Sequence, residues 1–319
     1  MIRFYLLPES NSLWRTQWYD LVLQCLGNHP CRTENPEDAD LLIPGMDTAM
    51  ETNWPNYGQS QSAFLYGNFA LYREHCVRKL NELPLSRFRG RLVLFDMNPF
   101  SGFPNMVRSI DRVWLVANSL HQSQYRPGLD VSFPTCSVIQ FNRTQVESNQ
   151  DTCLASFVGF DSHPVRRELA RLHNGQDVIV HNSAQRPHIG RVTVKSTLDQ
   201  EEVRTFASVL QRSRFAFVPR GDALFSYRLF ETMAAGAVPV IFSDGWVLPF
   251  SELLDWSEFS LHLPENQAGR CLEVLRSIPD ETVLKMRRKA LWVYQQFFSS
   301  VEIQISCLLR LLSDRLRKS

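Results

Sequence analysis

The sequence has no excess of charge of either sign. Its 319 residues include 34 Lys and Arg against 33 Asp and Glu, which gives a formal net charge of +1. A protein that binds nucleic acid through the phosphates needs a basic surface, so this balance argues against a nucleic-acid partner. With 44% hydrophobic and 21% charged residues, the chain also lacks the composition of a disordered protein.

Long apolar runs and closely paired cysteines are missing as well. The apolar runs fall far short of the roughly 20 residues that span a bilayer, so we expect the chain as given to be soluble. The seven cysteines include no C-x-x-C pair, which argues against a zinc site and a dense disulfide framework. The motifs of P-loop ATPases, dinucleotide dehydrogenases, zinc proteases and common esterases are also absent.

Short apolar runs alternate with helical periodicity along most of the chain. The predicted strands are residues 2–7, 41–43, 92–95, 154–158, 178–180, 215–218 and 238–242. The predicted helices are residues 13–26, 62–80, 165–173, 201–211, 226–235, 280–298 and 301–316. Continuous apolar strands between helices are typical of parallel sheets covered on both faces. A polar stretch at residues 142–152 then predicts two α/β domains, 1–150 and 151–319.

The most informative segment is residues 215–242, a compact strand, loop, helix and strand. Gly221 lies in the first turn, and Ser226 is predicted to open the helix. In such a unit, ligands bind beyond the carboxyl ends of the strands, and a helix N-terminus favours phosphate. Arg220 and Arg228 add cationic donors suited to two phosphate groups. The segment therefore predicts a diphosphate site.

Two interpretations of Glu231 stay open, because it follows Arg228 by three residues and shares its helix face. Its carboxylate binds the hydroxyls of a ribose, or the two side chains form an exposed ion pair worth about 0.3–0.5 kcal/mol. The loop after the last strand offers Asp244 for sugar hydroxyls and Trp246 to cover a ring. Asp244 and the following glycine also fit an ordinary tight turn.

Three stretches carry a resemblance to a known family: Phe217-Val-Pro-Arg-Gly, Phe225-Ser-Tyr-Arg-Leu-Phe-Glu and Ser243-Asp-Gly-Trp-Val-Leu-Pro-Phe-Ser-Glu. Further similarity at residues 35–41, 126–134, 172–178, 291–292 and 298–302 extends the match over nearly the whole chain. In these residues the chain resembles the exostosin family of glycosyltransferases, in particular the glucuronosyltransferase half of the heparan sulfate polymerases.

The resemblance implies an α/β fold of the GT-B type, with two Rossmann-like lobes, parallel sheets and C-terminal helices. Residues 1–150 would form the acceptor-side lobe and residues 151–319 the lobe that binds the UDP-sugar. It also implies inversion at the anomeric carbon, no required metal or other cofactor, and a Golgi or ER lumen location if an N-terminal anchor was trimmed. The implied donor-site residues are Arg166, Arg220, Gly221, Ser226, Arg228, Glu231, Asp244 and Trp246.

The expected function is transfer of glucuronic acid from a UDP donor to a growing glycan acceptor, with a β1,4 linkage of the heparan sulfate type. Asp96 follows the strand at residues 92–95 and is the candidate general base; its alternative role is an ordinary turn or cap residue. Arg228→Ala is expected to lower activity by orders of magnitude with little change in melting temperature. Two alternatives stay open: a non-catalytic subunit that stabilises a paralogous partner in a polymerase complex, and a sister transferase that uses another UDP-hexose.

Overall fold

The computed structural model describes residues 2–7, 17–45, 88–97, 113–135, 141, 143–146, 152–183 and 200–318. They form two compact units, each built on a five-stranded sheet. The first unit comprises Met1–Pro134, Gly190–Val192 and Val301–Ser319, and the second comprises Thr135–Ile189 and Thr193–Ser300. The predicted pair of parallel-sheet units is thereby confirmed.

The first unit is a parallel sheet in the order β1-β2-β3-β4-β5. Its strands are β1 (Phe4–Leu6), β2 (Leu41–Ile43), β3 (Arg91–Asp96), β4 (Val113–Ala117) and β5 (Val131–Ser132). Helix α1 (Gln17–Gly27) covers the sheet through Tyr19, whose ring lies 5.4 Å from that of Phe95. Phe95 in turn meets Phe133 edge-on at 5.9 Å. Aromatic packing of this kind is worth about 0.5–1.5 kcal/mol per pair beyond the area it buries.

The second unit is a parallel sheet in the order β10-β9-β8-β6-β7. Its strands are β6 (Cys153–Phe160), β7 (Val178–Ser183), β8 (Ser213–Pro219), β9 (Val238–Phe242) and β10 (Leu261–His262). Its helices are α2 (Pro164–Ala170), α3 (Gln200–Gln211), α4 (Arg228–Ala234), α5 (Cys271–Ser277) and α6 (Asp280–Val293). All five residues of β9 are buried, as expected for a central strand with helices on both faces.

The last helix, α7 (Val301–Lys318), belongs to the first unit and not to the second. Its Glu302 lies against Cys25 of α1, and burial together with this carboxylate raises the pKa of the Cys25 thiol to about 11. Its Arg315 donates to the carbonyl of Asp130 at 2.7 Å. The structure therefore divides the chain after Pro134, where the sequence analysis expected residue 150, and returns the C-terminus to the first unit.

Most predicted elements that fall on described residues are present, with bounds that differ by a few residues. The strands at residues 41–43 and 238–242 have the predicted bounds. The helix expected at residues 62–80 lies outside the described residues. Strands β4, β5 and β10 were not predicted. None of the helices in the described ranges combines the length and apolar character that crossing a membrane requires.

Candidate active site

The strand order of the second sheet reverses between β6 and β8. The chain goes from β6 to its neighbour β7 and then crosses back, so that β8, β9 and β10 follow on the other side. In open parallel sheets, ligands bind in the crevice outside the carboxyl ends of the strands at such a reversal. The loops that flank it here are residues 161–163 after β6 and residues 220–227 after β8. They contain or adjoin most of the predicted donor-site residues.

Arg166 is the first cation at this crevice, and it lies buried in the first turn of α2. Its guanidinium donates to three carbonyl oxygens: from Nε to Arg220 at 2.8 Å, from Nη1 to Phe160 at 3.0 Å and from Nη2 to Pro219 at 3.3 Å. Burial and the nearby guanidinium of Arg228 lower the pKa of Arg166 to about 10, so the side chain stays charged at neutral pH. Arg166 thus ties the ends of β6 and β8 together and leaves a positive charge beside them.

Arg220 follows β8 directly, and its main-chain N–H donates to the carbonyl of Phe242 at 2.9 Å. Within the described residues, its buried Nε has no hydrogen-bond acceptor, and neither does the buried Oγ of Ser162. Buried donors without acceptors are rare in folded proteins, so both groups are suited to receive an anion. Gly221 keeps the two loops close, because a Cβ there would lie 3.0 Å from Ser162 Oγ and 3.1 Å from Arg166 Nη2.

Arg228 and Glu231 form an ion pair whose carboxylate is buried and whose guanidinium is partly exposed, and not the exposed pair that was one interpretation of their spacing. Arg228 donates from Nη1 to Glu231, whose side chain is 0% exposed. The Arg228 Nε donates to the carbonyl of Val158 at 2.7 Å, and its guanidinium stacks 4.4 Å from the ring centroid of Phe206. Burial makes each partner necessary to the other, since a lone buried charge is costly. Arg228 therefore serves the core as well as the crevice.

Ser226 is buried but does not open the helix as predicted. Helix α4 begins at Arg228, and Tyr227 occupies the N-cap position with no side-chain cap bond. The carbonyl of Ser226 accepts from the N–H of Leu229 at 3.1 Å. Serine is favoured as an N-cap by local preference, but here it lies one residue before the cap position. Helix α4 has seven residues, against ten in the predicted helix at residues 226–235.

Asp244 lies in the loop after β9 and bonds reciprocally with Glu265, which sequence reasoning did not select. The N–H of Asp244 donates to Glu265 Oε1 at 2.9 Å, and the N–H of Glu265 donates to Asp244 Oδ1 at 3.1 Å. Glu265 Oε1 also lies 3.8 Å from Arg220 Nη1. Glu265 starts the 3₁₀ helix Glu265–Arg270 after β10, so the parallel sheet brings it to the crevice from a distant part of the chain.

His163 is the second residue at the crevice that sequence reasoning missed. It caps α2, where its Nδ1 accepts from the N–H of Val165 at 3.4 Å, and it lies 3.9 Å from Glu265 Oε2. Burial, and after it the positive charge of Arg220, lower the pKa of His163 below 6.5. A histidine directly before a proline at a predicted helix start is a sequence signal for such a cap. The local field is positive even with Glu265 present.

Two other predicted residues have different surroundings. Trp246 is buried, and its main-chain N–H donates to the carbonyl of Ser243 at 3.3 Å. Asp96 lies in the first unit as the last residue of β3, at 4% exposure, and pairs in register with Ala117 of β4.

Among the described residues, no three His, Cys, Asp or Glu side chains are grouped so that they could hold a metal ion.

Comparison with known proteins gives matches along most of the chain. The profile of the Exostosin GT47 domain matches residues 4–278. Exostosin-2 of Bos taurus is 32% identical over 321 aligned residues, covering 97% of this chain and 42% of that protein. Exostosin-1 of Bos taurus is 25% identical over 342 aligned residues, covering 99% of this chain and 43% of that protein. A glycosyltransferase structure from Rickettsia africae ESF-5 aligns over 100% of this chain and 99% of its own, with 12% identity and a TM-score of 0.45.

The chain thus spans less than half the length of the exostosins it matches. The profile match covers most of the sequence and includes the loops after β6, β8 and β9. The expected resemblance is confirmed: the chain belongs to the exostosin GT47 family.

Proposed function

We propose that this chain is an inverting glycosyltransferase that moves glucuronic acid from a UDP donor to a growing glycan, with a β1,4 linkage of the heparan sulfate type. The donor site is the crevice between the loops after β6 and β8. The proposal assigns Arg166, Arg220 and Arg228 to the diphosphate, together with Ser162 and the backbone around Gly221. Asp244 and Trp246 are assigned to the donor sugar or uracil side, and Glu231 to the ribose.

The observation that carries the proposal is the pair of buried donors, Arg220 Nε and Ser162 Oγ, that find no acceptor in the described residues. They lie where the strand order reverses and close to Arg166, whose pKa is lowered by burial and, after it, by the guanidinium of Arg228. Like charges in a buried setting repel, and an anion between or beside them relieves that repulsion. A diphosphate supplies both the negative charge and several acceptor oxygens.

The same arrangement supports the chemistry of transfer. The bond between the anomeric carbon and the diphosphate oxygen breaks with its electron pair going to UDP, while the acceptor oxygen forms the new glycosidic bond. The arginines stabilise the leaving charge more in the transition state than in the ground state, which is what accelerates a reaction. Because fixed guanidiniums supply this charge, we propose no metal requirement. The acceptor hydroxyl loses its proton to a carboxylate, for which we propose Asp96.

Titration calorimetry with UDP, UDP-glucuronate and UMP tests the donor site. We expect UDP and UDP-glucuronate to bind and UMP to bind more weakly, since it lacks the second phosphate. Arg220→Ala should weaken UDP binding on the order of 10- to 100-fold, as expected for a charged hydrogen-bond donor. Arg276→Ala is the matched control, because Arg276 lies in the same unit but pairs with Asp177 on an exposed surface. Equal losses in the two variants would contradict the site.

Turnover separates the remaining alternatives. A UDP-release assay with several UDP-hexoses and a uronate-containing acceptor should be fastest with UDP-glucuronate. If another UDP-hexose reacts faster, that sugar is the donor in place of glucuronate, and the proposed donor site stands. Tight UDP binding without turnover on any donor would favour a non-catalytic subunit of a polymerase complex. Absence of UDP binding would end the proposal.

A further inference from the structure

Glu265 is a carboxylate within a cationic site, and it contacts a main-chain N–H as well as the side chains of Arg220 and His163. Its Oε1 accepts from the N–H of Asp244 at 2.9 Å and lies 3.8 Å from Arg220 Nη1. Its Oε2 lies 3.9 Å from His163 Nδ1. The side chain is 19% exposed, so solvent screens these charges only in part. A single carboxylate thus touches three loops of the crevice.

The contact with Arg220 is an ion pair that is too long for a direct hydrogen bond. The Nε of Arg220 has no acceptor within the described chain, so Glu265 balances the charge of Arg220 without accepting from this Nε. A phosphate oxygen that accepts from Arg220 would bring further negative charge near the Glu265 carboxylate. The two anions would then compete for one guanidinium.

We infer that Glu265 is an internal counter-anion of the diphosphate site. It is a positioning residue that holds Arg220 and the Asp244 loop in place, and its charge lowers the affinity of the site for the diphosphate. This inference rests on the proposed function and deepens it. Because release of UDP follows each transfer, an anion that competes with the product favours its departure. The charge of Glu265 and its hydrogen bond to Asp244 are separable, since glutamine keeps the acceptor oxygen and loses the charge.

The test is Glu265→Gln, titrated with UDP and with inorganic pyrophosphate at low and high salt. We expect binding of both ligands to tighten on the order of tenfold at low salt, with a smaller gain at high salt, because screening weakens the lost repulsion. The matched control is Glu258→Gln, which removes one carboxylate from the same unit where it pairs with Lys289 at 3.0 Å. That control should bind as the unmodified protein does.

A second measurement needs no ligand and keeps the inference testable if UDP does not bind. His163 faces the positive side chains of Arg166, Arg167 and Arg220, and Glu265 is the one carboxylate among the causes that shift its pKa. The NMR-detected pKa of His163 should therefore fall in Glu265→Gln and stay unchanged in Glu258→Gln.

The outcomes separate the two proposals. If the unmodified protein binds neither UDP nor pyrophosphate, the proposed function fails, and the His163 measurement alone decides whether Glu265 acts on the cationic groups. If it binds them but Glu265→Gln binds equally or more weakly, the counter-anion role is overturned while the donor site stands. An unchanged pKa of His163 in Glu265→Gln would also overturn it.

Discussion

The Nε of Arg166 donates to the main-chain oxygen of Arg220 at 2.8 Å. One predicted donor-site arginine therefore fixes the backbone that carries another. The guanidinium of Arg166 donates hydrogen bonds to three carbonyl oxygens, so it acts on a ligand through its charge and through the position of Arg220. A residue chosen from the sequence as a phosphate ligand is thus also a structural clamp between β6 and β8.

Arg166→Lys should fail as a conservative replacement. A lysine ammonium cannot reach the three carbonyls that the planar guanidinium joins, and its burial beside Arg228 favours loss of its proton. We expect the free energy of unfolding to fall by about 2–4 kcal/mol, and UDP affinity to fall at least about tenfold. Urea unfolding and calorimetry measure these effects. Arg171→Lys is the control, because Arg171 pairs with Glu168 on the surface of the same helix. A variant as stable as that control would show that the clamp contributes little.

Arg228→Ala should unfold more easily, which revises the expectation of an unchanged melting temperature. Its loss leaves the fully buried Glu231 carboxylate without its guanidinium, and breaking a buried pair from one side costs about 3–5 kcal/mol. Arg228 keeps some exposure, so we expect the lower end of that range. Adding Glu231→Gln should restore much of the stability but no activity, since the cation at the crevice is still missing and Glu231 is itself assigned to the ribose. Recovery of turnover in the double variant would contradict a role of Arg228 in the reaction.

The residues of the site that share one segment of the chain were predictable from the sequence. The residues that reach the site from other loops were not. Arg220, Gly221 and Arg228 share one strand-loop-helix segment, so their meeting follows from local order along the chain. Glu265 and His163 arrive from loops after β10 and β6, and the order of a parallel sheet decides which loops become neighbours. A local sequence pattern does not determine the order of the strands in the sheet.

The secondary structure shows the same division. Strand β9 is a continuous apolar run that begins two residues after Gly236, and its bounds follow from sequence. The start of α4 does not, because Tyr227 and not Ser226 takes the N-cap position, against the local preference for serine. Strand β10 has only two residues and exists through its pairing with β9, which a one-dimensional pattern does not record.

Gly221→Ala should disturb the site more than the fold. The new Cβ would lie 3.0 Å from Ser162 Oγ and 3.1 Å from Arg166 Nη2, which forces the two loops apart or turns the guanidinium. We expect a loss of about 1–3 kcal/mol in the free energy of unfolding from this overpacking. UDP affinity should also fall, because Arg220 moves with its neighbour. Gly269→Ala is the control, since the nearest atom to its Cβ would be 3.7 Å away. Unchanged UDP affinity in Gly221→Ala would contradict a tight approach of the loops at the ligand.

Binding of the diphosphate should be linked to protonation of His163. Burial and the charge of Arg220 lower the pKa of this imidazole below 6.5, so the unfolded chain binds the proton first as the pH falls. The contribution of His163 to stability is therefore complete above pH 6.5 and is lost as the pH falls from 6.5 through the lowered pKa. A bound diphosphate adds negative charge nearby, which raises the pKa of His163 again and draws in a proton.

Calorimetry in two buffers of different ionisation enthalpy measures this proton uptake, with His163→Asn as the comparison. Asparagine keeps a side-chain acceptor for the N–H of Val165, so α2 should keep its cap while the titrating group is removed. The proton that UDP itself exchanges on binding is common to both proteins, and the difference between them isolates His163. We expect the proton uptake, measured as the pH falls below 6.5, to be smaller in the variant. Equal uptake in both proteins would mean that the diphosphate binds too far from His163 to shift its pKa. The crevice between the loops after β6 and β8 would then not be the diphosphate site.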